Sequence, residues 1–266
     1  MRLPISAFII TKNEELNIAR AINSIKNIVD DLYVIDSGSQ DKTVEIAESL
    51  GAKVIYNEWP GYTKQKAFGE SLCKHKWILN IDADEELSKE LQNEIEYIFV
   101  SKQQDKYKAY EIDRVIIHRN EDRLKSFAPS DIMIRLYNID YASYASNNSS
   151  THDSVVLKPG VNKEKDVYLF NGAAYHRSGT SIEQLVAKAN FYSSEQAKDM
   201  LEKGRFPSKI RVVGEFFFWL FKAFFIRRYF VFGFSGFVDS MIFAFARFLR
   251  MAKAREKFLQ ERKKQP

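Results

Sequence analysis

Short apolar runs recur along the first third of the chain: Pro4–Thr11, Leu32–Asp36, Lys53–Tyr56 and Trp77–Ile81. Their length and their Val, Ile, aromatic and Leu content predict strands buried on both faces. Between the first two, Leu16, Ala19, Ile22 and Ile25 fall at helical spacing, with Asn13 expected as the cap and Glu14 and Glu15 in the first turn. Further helices are predicted over Lys42–Leu50, stopped by Gly51, and over Lys64–Cys73. Strand and helix alternate with short links, which predicts an α/β fold built on a mostly parallel, Rossmann-like sheet with right-handed crossovers. Ligands collect at the carboxyl ends of such strands, where Thr11, Asn13, Asp36, Ser37, Asp82 and Asp84 all lie.

The pattern continues less regularly. Ser88 should cap a helix over Leu91–Val100, and Lys108–His118 and Ile132–Tyr137 read as strands flanking a polar loop. Tyr141–Ser150, rich in Ser, Asn and Tyr, is expected to lie over the site, and Val167–Tyr175 is another strand-like run. Ser181–Lys203 is predicted as a helix with Ser181 as N-cap and Gln184 completing a capping box. Gly204 and Pro207 then end the first domain, residues 1–205.

Residues 206–266 change character: thirteen of the 21 Phe lie between Phe216 and Phe248. Arg211, Glu215 and Lys222 share a narrow helical face, as do Asp239, Arg250 and Lys257, opposite wide apolar surfaces. No uncharged apolar run reaches the ~18–20 residues of a spanning helix, so a helical region lying in a membrane interface is expected over residues 206–258. A helical hairpin packed on the core or on a second copy is the plain alternative.

Charge sharpens this division. Residues 201–266 hold 15 Lys/Arg against 5 Asp/Glu, while residues 1–200 hold 25 against 30. A basic C-terminal region favours an anionic lipid surface or an anionic acceptor, and no nucleic-acid-binding motif accompanies it. The single cysteine, Cys73, fits a reducing compartment, and MRLPISAFII runs on without a signal-peptide cleavage region.

Candidate chemistry centres on Trp77–Glu86, WILNIDADEE. On an extended backbone Asp82 and Asp84 would point to one side, with Ala83 turned away. Paired carboxylates at a strand end suit Mg²⁺ or Mn²⁺. Asp36 can accept from a nucleobase or ribose, and Lys66 near a helix N-terminus would welcome a pyrophosphate, although Lys64 and Lys66 read equally well as solvated charges.

Taken together, IITKNEE, VIDSGSQDKT, GYTKQKAFGES and WILNIDADEE resemble the N-terminal half of the inverting glycosyltransferases of family 2, over roughly residues 4–90. Within that family the chain is most similar to the lipopolysaccharide core β-glucosyltransferase branch. The resemblance implies a GT-A fold, a UDP-sugar donor and a divalent metal. It implies donor roles for Thr11, Asn13, Glu14, Asp36, Lys66, Asp82 and Asp84, with Ser37 and Ala83 beside them, and it makes residues 1–100 the nucleotide-sugar half and 101–205 the acceptor half.

Inverting transfer needs a base for the acceptor hydroxyl. The resembling branch usually carries His-Glu where this chain has His152-Asp153, so Asp153 is the expected base, with Glu85 or Glu86 as rivals. Metal ligation is expected from Asp84, Asp82 and His176, the last being as readily a structural histidine. The expected function is transfer of a hexose, glucose from UDP-glucose, to a lipid-anchored saccharide such as the lipopolysaccharide inner core, at the cytoplasmic face of a bacterial inner membrane. A nucleotidyltransferase and a non-catalytic, membrane-bound nucleotide-sugar-binding protein are the alternatives.

Overall fold

The computed structural model describes residues 2–121, 123–144, 154–177 and 181–264. The chain divides into two compact units, Met1–Val115 with Ser130–Arg177, and Ile116–Pro129 with Ser178–Pro266.

The first unit opens with β1 (Leu3–Thr11), α1 (Ile18–Ile25), β2 (Val29–Asp36), α2 (Thr43–Ser49), β3 (Lys53–Tyr56), α3 (Tyr62–Ser71) and β4 (Trp77–Asn80). It continues with β5 (Glu85–Leu87), α4 (Lys89–Val100), β6 (Ala109–Ile116), β7 (Ser130–Asn138), β8 (Ala142–Ser143), β9 (Val156–Leu157), α5 (Lys163–Asp166) and β10 (Val167–His176). Eight strands form one sheet in the order β3-β2-β1-β4-β7-β6-β10-β5, and β8 pairs with β9 apart from it. The first four strands are parallel, in registers such as Ile9↔Val34, Ala7↔Leu79 and Ile35↔Ile55. Antiparallel pairing begins where Leu79 faces Leu136 of β7, and it recurs between β6 and β7 and between β10 and β5. The sheet is therefore mixed, with its parallel half where strand and helix alternate in sequence: a GT-A architecture.

Alternation along β1 sends side chains to two cores. Leu3, Ile5, Ala7 and Ile9 pack on one face and Phe8 and Ile10 on the other, the period-two consequence of a pleated strand. Helix α3 lies close to this sheet because Gly69 leaves no room for more: a Cβ there would meet the Phe8 ring at 2.6 Å.

Two local expectations are corrected. Helix α1 starts at Ile18 with Asn17 at its cap position, not at Asn13. Asn13 has φ 56°, a left-handed conformation that asparagine tolerates, and it belongs to the loop. Nor is the backbone extended through Asp82 and Asp84. β4 ends at Asn80, and a turn follows in which the Glu85 N–H donates to the Asp82 carbonyl at 3.0 Å.

In the second unit, α6 (Ile182–Glu202), α7 (Lys209–Phe221) and α8 (Gly233–Lys264) pack together, α8 running along both of the others. Ser181 caps α6 by accepting from the Gln184 N–H at 3.2 Å. Part of each polar stripe turns toward partners within the unit, while Arg211 stays exposed. Glu215 of α7 accepts from Arg250 of α8 and from Trp219 Nε1, and Lys253 donates to Ser193 and Ser194 of α6, each at 2.8 Å. Asp239 binds Arg119 at 2.7 Å and His118 at 3.0 Å. The phenylalanines are left outside: Phe217, Phe218, Phe221, Phe225 and Phe234 are all more than half exposed. Among the described residues one helical stretch, Tyr229–Gln260, is long and apolar enough by length and composition to cross a membrane. A search for uncharged runs misses it because Asp239 interrupts the stretch, and that residue is ion-paired within the unit.

Candidate active site

Three loops meet the carboxyl rim of the parallel strands. The β1–α1 loop is laced to the β2–α2 loop: the Asn13 N–H donates to Ser39 Oγ at 2.9 Å, the Glu14 N–H to Thr43 Oγ1 at 2.8 Å, and the Gln40 N–H to Asn13 Oδ1 at 2.8 Å. Asp36 is the knot of the second loop. Its carboxylate accepts from the N–H groups of Gly38 (2.8 Å) and Ser39 (3.0 Å) and from the Ser39 hydroxyl. Gly38 has φ 88°, a conformation that costs glycine little. Ser37, also buried, accepts from Gln65 Nε2 at 3.0 Å. Thr11 Oγ1 is buried with no hydrogen-bond partner among the described residues. Buried hydroxyls are ordinarily satisfied, so this oxygen is suited to a ligand.

The turn after β4 parts the two aspartates. Asp82 meets Lys66 at 2.9 Å, Arg135 at 2.6 Å and Arg114 at 3.5 Å. Glu85, fully enclosed, binds Arg114 at 2.7 Å and Arg135, and accepts from the Asp82 N–H at 3.0 Å. Arg114 also chelates Asp131, through Nε at 3.1 Å and a terminal nitrogen at 2.6 Å. Lys66 and Arg135 have no exposed surface, so Lys66 is a core cation rather than a solvated one. Burial works to raise the Asp82 pKa, but Arg135, Lys66 and Arg114 overcome it and hold the carboxyl well below the usual range. Tyr144 closes the cluster from below: its hydroxyl donates to Asn80 Oδ1 at 2.8 Å, which also accepts from Arg135 at 3.1 Å.

Asp84 takes the other direction. Its carboxylate lies 3.3 Å from His176 Nε2 at the end of β10, and its carbonyl accepts from the Arg177 N–H at 2.9 Å. Burial works to lower the His176 pKa, and the Asp84 carboxylate outweighs it, so the ring is the more readily protonated. An imidazole nitrogen and a carboxylate oxygen side by side form a donor set that fits a borderline-hard divalent cation such as Mn²⁺. Asp82 offers less, because its oxygens already answer three cations.

The sequence-expected residues thus separate by partner. Thr11, Asn13, Glu14, Asp36 and Ser37 lie in the stitched loops; Lys66, Asp82 and Glu85 belong to the ionic cluster; Asp84 and His176 form a pair, with Ala83 between the two aspartates in the turn. Asp153 and His152, and most of the Tyr141–Ser150 stretch, lie outside the described residues. Arg114 and Arg135 were missed. Arg135 is the one charge in the run Ile132–Tyr137, and Arg114 sits among Glu111 and Asp113 in Lys108–His118, so neither stands out from an ordinary strand pattern.

A family model described as glycosyl transferase family 2 matches residues 6–145. A protein of Rickettsia bellii (strain RML369-C) described as an uncharacterized glycosyltransferase is 65% identical over 96% of this chain and 87% of its own length. The lipopolysaccharide core biosynthesis glycosyltransferase LpsC of Rhizobium meliloti (strain 1021) is 26% identical over 95% of this chain and 92% of its own. Among solved structures, glucosyl-3-phosphoglycerate synthase from Mycobacterium tuberculosis, in complex with Mn²⁺, UDP and phosphoglyceric acid, aligns over 78% of this chain and 80% of that one, at 16% identity and a TM-score of 0.45.

Proposed function

The chain belongs to glycosyl transferase family 2, and from that premise we propose that it transfers a hexose, glucose from UDP-glucose, to a lipid-linked saccharide with inversion at the anomeric carbon. The observation that carries the reading is the turn after β4. It sets the Asp84–His176 pair beside a cluster in which Lys66, Arg114 and Arg135 face Asp82 and Glu85.

Asp84 and His176 would hold a divalent cation, whose chemistry there is to neutralise charge developing on the diphosphate leaving group. Within the cluster three cations, Lys66, Arg114 and Arg135, meet three carboxylates, Asp82, Glu85 and Asp131, so its charges balance. The countercharge for a diphosphate at this end of the sheet would therefore come from the cation at Asp84 and His176. Asp36 and its loop are set to take the nucleoside, and the unpartnered Thr11 hydroxyl to meet the donor. Glu85 has a holding role: with both arginines and the Asp82 N–H as partners it fixes the turn. Asp153 is assigned as base. The acceptor oxygen bonds to the anomeric carbon as the carbon–oxygen bond to the diphosphate breaks. The proton passes to the Asp153 carboxylate, and UDP departs with the bonding electron pair.

The lipid-linked acceptor is supported by the relative LpsC and by the outward Phe face of the second unit. UDP release from a panel of UDP-sugars, with a lipid-linked acceptor and with or without Mg²⁺ or Mn²⁺, tests the reading. Asp84→Asn should retain the fold and lower the rate by about 100-fold or more. Release of pyrophosphate rather than UDP would make the protein a nucleotidyltransferase, and a product with the donor's anomeric configuration would refute the single displacement.

A further inference from the structure

Within the second unit a group of cations surrounds two aromatic rings. The Trp219 and Phe243 centroids are 5.6 Å apart, edge to face. The Arg247 guanidinium lies 4.8 Å from the first ring and 5.1 Å from the second; that of Arg227 lies 5.9 Å and 4.8 Å from them. Lys222 Nζ is 4.4 Å from the Trp219 centroid. Glu215, the neighbouring carboxylate, is already committed to Arg250 and Trp219 Nε1. Among the described residues Arg247 hydrogen-bonds only to Gln196, at 3.5 Å, and burial together with Arg250 and Arg227 pushes its pKa down to about 10. It remains charged at neutral pH, but it is crowded by like charges that an arriving anion would relieve.

A cavity of about 260 Å³ shares Phe243 and Arg247 with this group; its wall is largely apolar, with Leu185, Ala189, Ile242 and Ala246, and also carries polar groups such as Gln196 and the ion-paired Asp239. Phe218, Phe221 and Phe225 of the same unit are exposed, and Phe218 lies beside Trp219, with ring centroids 5.6 Å apart. Charge and apolar surface therefore meet at one place.

We propose that Arg227, Arg247 and Lys222, gathered on the Trp219–Phe243 ring pair, receive the phosphate of an anionic membrane lipid, while the adjoining cavity takes the upper part of its acyl chain. The proposal rests on the reading that this unit sits at a membrane surface, and it adds a particular lipid-phosphate site to that reading. Guanidinium groups suit phosphate through paired N–H donors. Two that lie against rings are held in place for it, with the rings contributing cation–π attraction. A free anion would use the cations and leave both the cavity and the Phe face idle, which favours an amphiphile as occupant.

Sedimentation of the full chain with vesicles of phosphatidylcholine alone, and of equimolar phosphatidylcholine and phosphatidylglycerol, tests this. Binding to the first reports the Phe face; the ratio of the two affinities reports the phosphate site. The paired variant Arg227→Gln/Arg247→Gln is compared with a charge-matched pair on exposed α7 positions, Lys209→Gln/Arg211→Gln. The preference for phosphatidylglycerol should fall about tenfold further in the first pair than in the second, as expected from lost hydrogen bonds to a charged group. Arg227→Gln alone, at an exposed position, keeps the test valid if the pair fails to fold. Equal losses in both pairs would overturn the site in favour of general electrostatics and leave the membrane reading standing. Binding to neither vesicle would overturn the membrane reading and the site with it. Displacement of the bound protein by inorganic phosphate at constant ionic strength would overturn the lipid as occupant.

Discussion

Arg135 shows how much one residue holds. It is fully buried, bridges Asp82 and Glu85, and contacts Asn80 through its other terminal nitrogen. Its removal takes a cationic partner from two carboxylates and leaves the fully enclosed Glu85 with Arg114 alone, so Arg135→Met should lower stability by about 3 kcal/mol, read from urea unfolding. Adding Glu85→Gln should recover part of that loss; a double variant no better than the single one would sink the account. Neither arginine of the cluster is legible as such in the sequence. Arg135 lies 53 residues from Asp82 and 50 from Glu85, and no local spacing rule connects them. Asp36 and Asp82 were legible because each directly follows an apolar run, and Asp84 because it lies two residues beyond Asp82.

At the scale of elements, close approach positions the chemistry. Gly69 sets α3 against Phe8 and Ile35, and the same helix carries Gln65, Lys66 and Glu70. Gly69→Ala should cost about 1–3 kcal/mol from overpacking, measured by denaturation, and should raise the KM for the donor as Lys66 shifts. In the second unit, His118 from the Ile116–Pro129 segment is tied to α8 through Asp239. Burial lowers its pKa, against Asp239 and Glu121, which raise it, while Arg119 adds to the lowering. The unfolded chain then binds the proton more readily than the folded one. Stability associated with His118 is complete above its ordinary pKa near 6.5 and falls as pH drops through that value toward the lowered one. Thermal unfolding at about pH 5 and pH 8 should show a smaller difference in His118→Gln than in the parent chain.

Across the whole molecule, charge and apolar surface are unevenly distributed. The last 66 residues carry a net +10 and the first 200 a net −5, from 15 Lys/Arg against 5 Asp/Glu and from 25 against 30. Association with anionic vesicles should therefore weaken as salt rises from ~0.05 to ~0.5 M, because exposed charges are screened, while binding to zwitterionic vesicles should change little. Turbidity-free sedimentation across that range checks both. A binding curve on anionic vesicles that ignores salt would mean that the basic surface takes no part. The fold bears on this because Glu215–Arg250 and the Asp239 pairs put polar groups inside the helical unit and leave Phe217, Phe218, Phe221, Phe225 and Phe234 outside.

The order of strands and helices through β4, the acidic rim and the basic, Phe-rich tail were determined by sequence alone. Each is a matter of neighbours along the chain: a period of two or of 3.6, a cap, a run that stops. Folding in three dimensions decided the rest. It turned the antiparallel strands β6 and β7 so that two arginines converge on Asp82 and Glu85, and it bent the chain after Asn80 so that Asp84 reached His176 while Asp82 did not. It also faced α7 with α8 so that Glu215 met Arg250 instead of water. Buried charges choose their partners by proximity in space, and the energy that enforces the choice, the cost of leaving a charge desolvated and alone, has no counterpart in local sequence.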